Sequence, residues 1–328
     1  MKPVGESGTA EEYLDFARDA RGSSDCYVEW STAVAEDAEV LGLVDTLPVA
    51  KRQPNLVLAA ARWHGAVAGP YDNLRTVLLD RWDDVRATVL ARATQTNEVG
   101  RCATLLPVLA SLPGPLALLE VGASAGLCLL PDRYSYRFSG TRTATLDPAH
   151  GTSPVVLDCE VHGEPPLPAA LPDVVWRAGL DLNPLDVHDD DAMRWLEMLV
   201  WPEQDDRRAR LAAAVDLARA EPPPLVRGDA VEDLPALAAQ APPGATLVVF
   251  HSAVLAYLST EARAAFTETV ASLPGHWISN EGPSVVPGLA DTATTEPPAD
   301  AGLFLLGLDG RAVGWTQGHG RRLWWAHS

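Results

Sequence analysis

The chain has 328 residues, of which 47% are hydrophobic and 21% charged, and this composition is typical of a folded protein with a sizeable core. Its formal net charge of −19 argues against binding to nucleic acid or to an anionic membrane, because both require basic patches. The four cysteines form no C-x-x-C pair and no cluster with histidines. The sequence therefore predicts no disulfide framework, no metal site and a cytoplasmic location.

The N-terminal third carries apolar residues at helical spacing. Residues 1–17 contain several acids and no apolar core, so we expect no secretory signal there. The uncharged run 102–119 is long enough to raise the question of a membrane span, but prolines interrupt it and Glu120 ends it. We predict an α-helical N-terminal cap domain over residues 1–112. Its predicted helices cover 11–20, 28–43, 55–64, 73–90 and 98–109.

From residue 113 onward, short apolar runs alternate with helical patterns, which predicts a Rossmann-like α/β domain over 113–328 with an insertion around 131–173. Asp309-Gly310 between the last two apolar runs predicts an antiparallel hairpin. The predicted strands are 116–121, 134–138, 174–178, 225–227, 246–250, 276–279, 303–308 and 312–316. The predicted helices are 191–199, 207–220, 231–239 and 260–271.

The run from Glu120 to Gly126, E-V-G-A-S-A-G, follows an apolar strand and predicts a cofactor pocket. Its small residues allow a ligand to approach the backbone, and we expect a helix to begin after it and offer free N–H groups. The spacing is close to the E/D-x-G-x-G-x-G loop of S-adenosylmethionine-dependent methyltransferases, with Ser124 in place of the central glycine. Alternatively, the small residues form a turn that lets a helix pack closely on the sheet.

Two further acids follow predicted strands. Asp181 could accept hydrogen bonds from ribose hydroxyls, or it could stabilise a turn beside Asn183. Asp229 could meet an adenine amino group, or it could cap the helix that follows.

Three residues are candidates for catalysis. His251 ends a buried strand at the sheet edge where ligands bind in open α/β folds, so it could act as a general base or simply hydrogen-bond a neighbouring loop. Glu281 ends another strand and could serve the same purpose. Arg101 could hold a carboxylate, phosphate or sulfate. The predicted substrate-binding residues are Asn97, Glu98, Arg133, Trp201 and Tyr257.

Several motifs in order resemble one bacterial family, known only as a domain of unknown function and common in actinobacteria. They include T-Q-T-N-E-V-G-R-C over 94–102, the glycine loop, D-R-Y-S-Y over 132–136 and L-V-W-P-E-Q over 199–204. More distantly, the C-terminal part resembles class I methyltransferases. That resemblance implies that Glu120, Gly122, Ser124 and Gly126 surround the methionine moiety of S-adenosylmethionine, with Asp181 at the ribose and Asp229 at the adenine.

We therefore expect a methyltransferase acting on a small molecule, with the substrate's identity and the oligomeric state left open. A second hypothesis is an enzyme of the same fold that does not use a methyl donor and catalyses an elimination or cyclisation of an anionic molecule. A third is a ligand-binding or partner protein without catalysis, for which Arg101, His251 and Glu281 would not converge.

Overall fold

The computed structural model describes residues 8–300 and 302–326. The expectation that residues 1–17 contain no secretory signal falls partly on residues 1–7, which lie outside the described residues. In chain order the α-helices are α1 (Thr9–Ala20), α2 (Asp25–Glu36), α3 (Ala38–Val44), α4 (Pro54–Trp63), α5 (Tyr71–Asp80), α6 (Trp82–Ala91), α7 (Arg101–Ser111), α8 (Asp190–Met198), α9 (Asp205–Ala220), α10 (Leu234–Ala238) and α11 (Thr260–Ser272).

The strands form a single mixed sheet in the order β3-β2-β4-β11-β10-β9-β8-β7-β1-β5-β6. Most neighbouring pairs are parallel, which confirms an α/β fold with a mostly parallel sheet. The strands are β1 (Leu116–Val121), β2 (Ser135–Gly140), β3 (Ala144–Leu146), β4 (Val156–His162), β5 (Val174–Asp181), β6 (Leu225–Arg227), β7 (Thr246–Ser252), β8 (His276–Glu281), β9 (Leu303–Leu308), β10 (Arg311–Gln317) and β11 (Arg322–Trp325).

The chain divides into two compact units whose limits differ from the predicted boundary at 112/113. The helical unit contains the chain up to Thr96 together with Asp190–Ala209, and the α/β unit contains Asn97–Asp189 and the chain from Arg210 onward. The two-domain division itself stays a prediction. The practical consequence is that α7 and the Asn97–Gly100 segment belong with the sheet, whereas Trp201 belongs with the helices.

The helical unit has a core of its own, built around Tyr27, Trp30 and Trp195. Two predicted helices are each split in this unit. Asp37 ends α2, and its carboxylate accepts the N–H groups of Glu39 and Val40 at the start of α3. The predicted helix 73–90 is interrupted at Arg81, which separates α5 from α6 without a side-chain cap.

In the α/β unit, strand β1 lies at the centre of a parallel set. It pairs with β5 on one side and with β7 on the other, and β6 and β8 extend the set outward. The chain therefore reverses direction across the sheet beside β1, and the crevice at the carboxyl ends of β1 and β7 is a topological switch point. Strands β9 and β10 form the predicted antiparallel hairpin at Asp309-Gly310.

Strands β3, β4 and β11 were not predicted. Strand β4 alternates buried and accessible residues, as a half-buried strand does, but it lies within the stretch assigned to an insertion. It pairs with β2 and with β11, so the insertion lengthens the sheet at its far edge. No helix in the described part of the chain is both long and apolar enough to cross a membrane.

Candidate functional site

The carboxyl ends of β1, β5, β7 and β8 bring several of the predicted residues to one edge of the sheet. Glu120 pairs in register with Gly179 of β5 and Phe250 of β7, and His251 pairs with Ser279 of β8. This edge is the one at which open α/β sheets bind ligands.

Glu120 is 4% exposed, and its Oε2 atom has no hydrogen-bond partner among the described residues. Burial raises the pKa of this carboxyl well above its ordinary value, and the nearby Cys128 and Asp181 add to the increase, whereas the Arg101 guanidinium opposes it. A buried oxygen without a partner is uncommon in proteins and calls for an explanation. It can accept a hydrogen bond from a ligand.

The glycine loop has a tight left-handed backbone. Gly122 and Gly126 have φ of +70° and +72°, and Ser124 adopts a φ of +54°, which is unusual for a residue with a side chain. A Cβ atom at Gly122 would lie 2.3 Å from the Val254 side chain, and one at Gly126 would lie 2.6 Å from Pro223. Both glycines are therefore required by backbone conformation and by space.

The predicted helix after this loop does not form. A three-residue 3-10 helix, Leu127–Leu129, follows Gly126, and a second one, Pro131–Arg133, comes next. The expectation of helix N–H groups for an anion is therefore wrong, because Pro131 follows too soon for an α-helix to extend. The buried Ser124 Oγ has no hydrogen-bond partner within the described part of the chain.

The carboxylates of Asp181 and Asp229 both accept hydrogen bonds from backbone N–H groups. The Asp181 carboxylate accepts from Ser124, at 2.8 Å, and from Asn183, at 2.7 Å, so it ties β5 to the glycine loop. The Asp229 carboxylate accepts from Val231, at 2.7 Å, and from Glu232, at 3.1 Å. Both side chains are only partly buried.

His251 and Glu281 form a buried pair. The His251 Nδ1 atom lies 2.7 Å from Glu281 Oε1, and the Trp277 indole N–H donates to His251 Nε2 at 3.0 Å. Since an indole nitrogen can only donate, Nε2 accepts and Nδ1 carries the ring proton. With both nitrogens occupied, His251 has no atom free to take a proton from a substrate.

Glu281 also holds the segment that follows β7. Its Oε1 atom accepts the N–H groups of Val254, at 2.8 Å, and Leu255, at 3.1 Å, beside the strained Ala253, whose φ is +58°. Its Oε2 atom is buried and has no hydrogen-bond partner among the residues described. Glu281 therefore ties the ends of β7 and β8 together and retains one free acceptor.

Arg101, at the start of α7, is 9% exposed and bridges two backbone carbonyls. Its Nε donates to Gly318 at 2.9 Å, its Nη1 donates to Ser252 at 3.0 Å, and the guanidinium lies 5.4 Å from the centre of the Phe304 ring. The positive charge is thus held in a defined position at the end of β7.

Asn97 and Glu98 stabilise the backbone around the glycine loop. Asn97 Oδ1 accepts the N–H of Leu127 at 2.9 Å, and Glu98 Oε1 accepts the N–H of Gly100 at 3.0 Å. The Glu98 carboxylate also lies 3.5 Å from Arg210 and 3.6 Å from His319. Both side chains lie near the site, and the contacts described here are with other residues of the chain.

Three further predicted residues have the following positions. Arg133 is half-exposed and pairs with Glu221 at 2.6 Å, and Tyr257 is 70% exposed in a short 3-10 helix. Trp201 packs in the helical unit, where its ring lies 5.4 Å from Phe16 and 5.9 Å from Tyr27.

Sequence reasoning missed two polar residues at this edge, Ser252 and Thr316, which are linked by hydrogen bonds through Asn280. Asn280 and Thr316 are fully buried, and the Thr316 hydroxyl donates to Asn280 Oδ1 at 2.7 Å. Asn280 Nδ2 in turn donates to Ser252 Oγ at 3.1 Å. These residues belong to β7, β8 and β10, so no local motif could have linked them. A polar side chain inside an apolar strand was the only available signal.

A cavity of about 390 Å³ lies at the opposite end of β8, lined by residues of α11, of the turn 273–275 and of the start of β8, together with Val249, Asp309 and Gly310. It is separate from the carboxyl edge described above. In the described residues, no group of three or more His, Cys, Asp or Glu side chains could hold a metal ion.

A family model described as "Uncharacterized protein conserved in bacteria (DUF2332)" matches residues 61–325. The chain belongs to this family. Membership confirms the expected bacterial family of unknown function, and the match covers all the residues of the carboxyl edge. A search of curated proteins finds no match to the chain.

Proposed function

We propose that the α/β unit binds S-adenosylmethionine and acts as a methyltransferase on a small molecule. The observation that supports this best is the buried Glu120 carboxyl with its unpartnered Oε2 atom, beside the glycine loop at the switch point. Glu120, Asp181 and Asp229 lie at the carboxyl ends of the adjacent parallel strands β1, β5 and β6. In the class I resemblance, acids in this order meet the methionine, ribose and adenine parts of the donor.

The residues at this edge fit such a donor in their chemistry. Glu120 Oε2 is an acceptor for the donor's ammonium group, and a cationic partner would favour ionisation of this carboxyl. Asp181 and Asp229 are carboxylates, the kind of group that accepts hydrogen bonds from ribose hydroxyls and from the adenine amino group. When bound, S-adenosylmethionine supplies an electrophilic methyl group.

The chain's own contribution is mainly to position the reactants. The hydrogen bond from Ser124 to Asp181 holds the glycine loop against β5. His251 orients Glu281 through its Nδ1 proton, and Glu281 Oε2 has no hydrogen-bond partner among the described residues. In this proposal Glu281, and not His251, accepts the substrate's proton.

A second candidate is an enzyme of the same fold that does not use a methyl donor. Two observations favour it. The Ser124 side chain is buried where the methyltransferase loop has a glycine, and Val254 fills the space beside Gly122. Both reduce the room for a ligand at the loop, and they would suit a smaller molecule undergoing elimination or cyclisation.

Calorimetric titration with S-adenosylmethionine and S-adenosylhomocysteine tests the proposal. We expect micromolar binding to the wild-type protein and a loss of about 10- to 100-fold in Glu120→Ala, because the variant removes a charge-assisted hydrogen bond. Asp229→Ala should lose affinity in the same direction. Glu268→Ala, which changes an exposed carboxylate on α11, is the matched control and should bind like wild type.

The absence of heat at millimolar ligand, with circular dichroism showing a folded protein, would contradict the methyltransferase proposal. It would favour the second candidate, or a protein that binds a ligand without catalysis.

A further inference from the structure

A chain of hydrogen bonds crosses the sheet at its carboxyl edge and ends at Ser252. The Thr316 hydroxyl donates to Asn280 Oδ1 at 2.7 Å, and Asn280 Nδ2 donates to Ser252 Oγ at 3.1 Å. Thr316 and Asn280 are 0% exposed, whereas Ser252 is only partly buried. Two fully buried polar side chains thus orient one accessible hydroxyl.

The direction of these bonds determines what Ser252 can offer. Its oxygen already accepts a hydrogen from Asn280, and within residues 8–300 and 302–326 its own hydroxyl proton has no acceptor. A hydroxyl carries one proton and can donate it once. Ser252 is therefore set up as a donor toward a ligand that brings an oxygen acceptor.

Arg101, which contacts the backbone of Ser252, supplies a second donor. Its Nη1 atom donates to the backbone carbonyl of Ser252 at 3.0 Å, and its Nε donates to Gly318, so the guanidinium cannot swing away. Nη2 has no hydrogen-bond acceptor among the described residues. The guanidinium also lies over Phe304, which fixes its plane.

We propose that the Ser252 hydroxyl and Arg101 Nη2 form a carboxylate-binding subsite, and that Asn280 and Thr316 are its positioning residues. This inference deepens the proposed function, on which it rests for the placement of the ligand at this edge. An Arg nitrogen paired with a neutral hydroxyl suits a carboxylate, because the ionised group strengthens both hydrogen bonds.

The cost of the network supports a role in binding. On burial, the Asn280 amide and the Thr316 hydroxyl lose their hydrogen bonds to water. The bonds that replace them here lead to Ser252. Apolar residues in place of Asn280 and Thr316 would fill the interior without needing hydrogen-bond partners. Ala253, directly after Ser252, has a φ of +58°, which is a strained backbone at the same point.

The carboxylate could come from a small acidic substrate or from the methionine end of S-adenosylmethionine. The probes are matched pairs of small molecules, acetate with acetamide and benzoate with benzamide, titrated into the full-length protein and followed by NMR. We expect each carboxylate to bind at least about tenfold more tightly than its amide, since only the carboxylate is ionised.

Variants separate positioning from simple packing. Ser252→Ala should weaken carboxylate binding about tenfold, and Thr316→Val should weaken it severalfold by freeing the Asn280 amide, whereas Thr316→Ser should restore it. Ser284→Ala, an exposed serine in the following loop, is the matched control and should bind like wild type. Equal binding of carboxylates and amides, no binding of either, or full binding in a folded Ser252→Ala variant would overturn the subsite.

Competition identifies the source of the carboxylate. If S-adenosylhomocysteine displaces benzoate, the subsite holds the methionine end of the donor; if both bind together, it holds the substrate. Carboxylate binding without any binding of S-adenosylhomocysteine would support the subsite and count against the proposed methyl donor. The two proposals therefore fail independently.

Discussion

Glu120 is a carboxyl group that the folded chain keeps away from water, and this affects its protonation. Burial raises its pKa well above the ordinary value, so at a pH between the pKa of the unfolded chain and that of the folded protein, only the folded protein keeps this proton. A raised carboxyl pKa stabilises the fold below the unfolded pKa, and that contribution is lost as the pH rises toward the folded pKa.

Glu120→Gln should therefore change how stability depends on pH. We expect the free energy of unfolding of the variant, relative to wild type, to be higher at pH 8 than at pH 4, because glutamine has no proton to release on unfolding. Urea unfolding at both pH values measures this difference. An equal difference at the two values would show that Glu120 titrates normally in the folded protein.

The position of Glu120 at the end of a strand could be predicted from the sequence, because an apolar run leads directly into an acid and a glycine loop. The hydrogen bonds of the His251 ring could not be predicted in this way. Its position at the end of β7 was visible, but Trp277 occupies Nε2 and Glu281 occupies Nδ1, and both belong to β8. A residue's hydrogen-bond partners across a sheet are decided by strand pairing, and the spacing along the chain does not reveal them.

The glycine loop is an element whose shape depends on left-handed residues. Gly126 has a φ of +72°, and a Cβ atom there would lie 2.6 Å from Pro223 and 3.0 Å from Leu225. The loop therefore requires glycine for two separate reasons.

Gly126→Ala should lower the free energy of unfolding by about 2–4 kcal/mol, because it adds a clash to the backbone strain. Gly244→Ala is the matched control: its φ is +90°, but a Cβ atom there would meet nothing within 4 Å. We expect that variant to lose only about 1–2 kcal/mol. Chemical denaturation measures both variants, and equal losses would show that the packing against Pro223 is unimportant.

Most elements of the sheet could be predicted because an apolar run and its bounding prolines or glycines are local features. Strands β1, β6 and β9 have the predicted limits. Strands β4 and β11 were missed because they are half-buried and carry charged residues, and because they form by pairing with β2, with β10 and with each other. The helix expected after Gly126 was wrong because Pro131 limits the segment to single turns.

At the scale of the whole molecule, the excess of acidic over basic residues leads to self-repulsion. The chain carries 44 acidic and 25 basic side chains, excluding histidine, and the repulsion between like charges destabilises the compact state. Salt shortens the range of this repulsion to about 8 Å at physiological ionic strength.

Raising the salt concentration at neutral pH should therefore increase the melting temperature, by about 1–2 °C for each kcal/mol of repulsion removed. The control is the same salt series near the pI of about 4.7, where the net charge is small and the increase should largely disappear. Differential scanning calorimetry measures both series. A decrease in melting temperature with salt at neutral pH would show that local ion pairs outweigh the net repulsion.

The sequence by itself determined the α/β class, the central strands, the buried acid at the glycine loop and the membership of a bacterial family. These depend on residues that are neighbours along the chain, where hydrophobic period and turn chemistry act directly. Only the tertiary structure decided that His251 faces Trp277 and Glu281, and that Thr316, Asn280 and Arg101 converge on Ser252. Those contacts join strands that are far apart in sequence, and their geometry exists only once the sheet has formed.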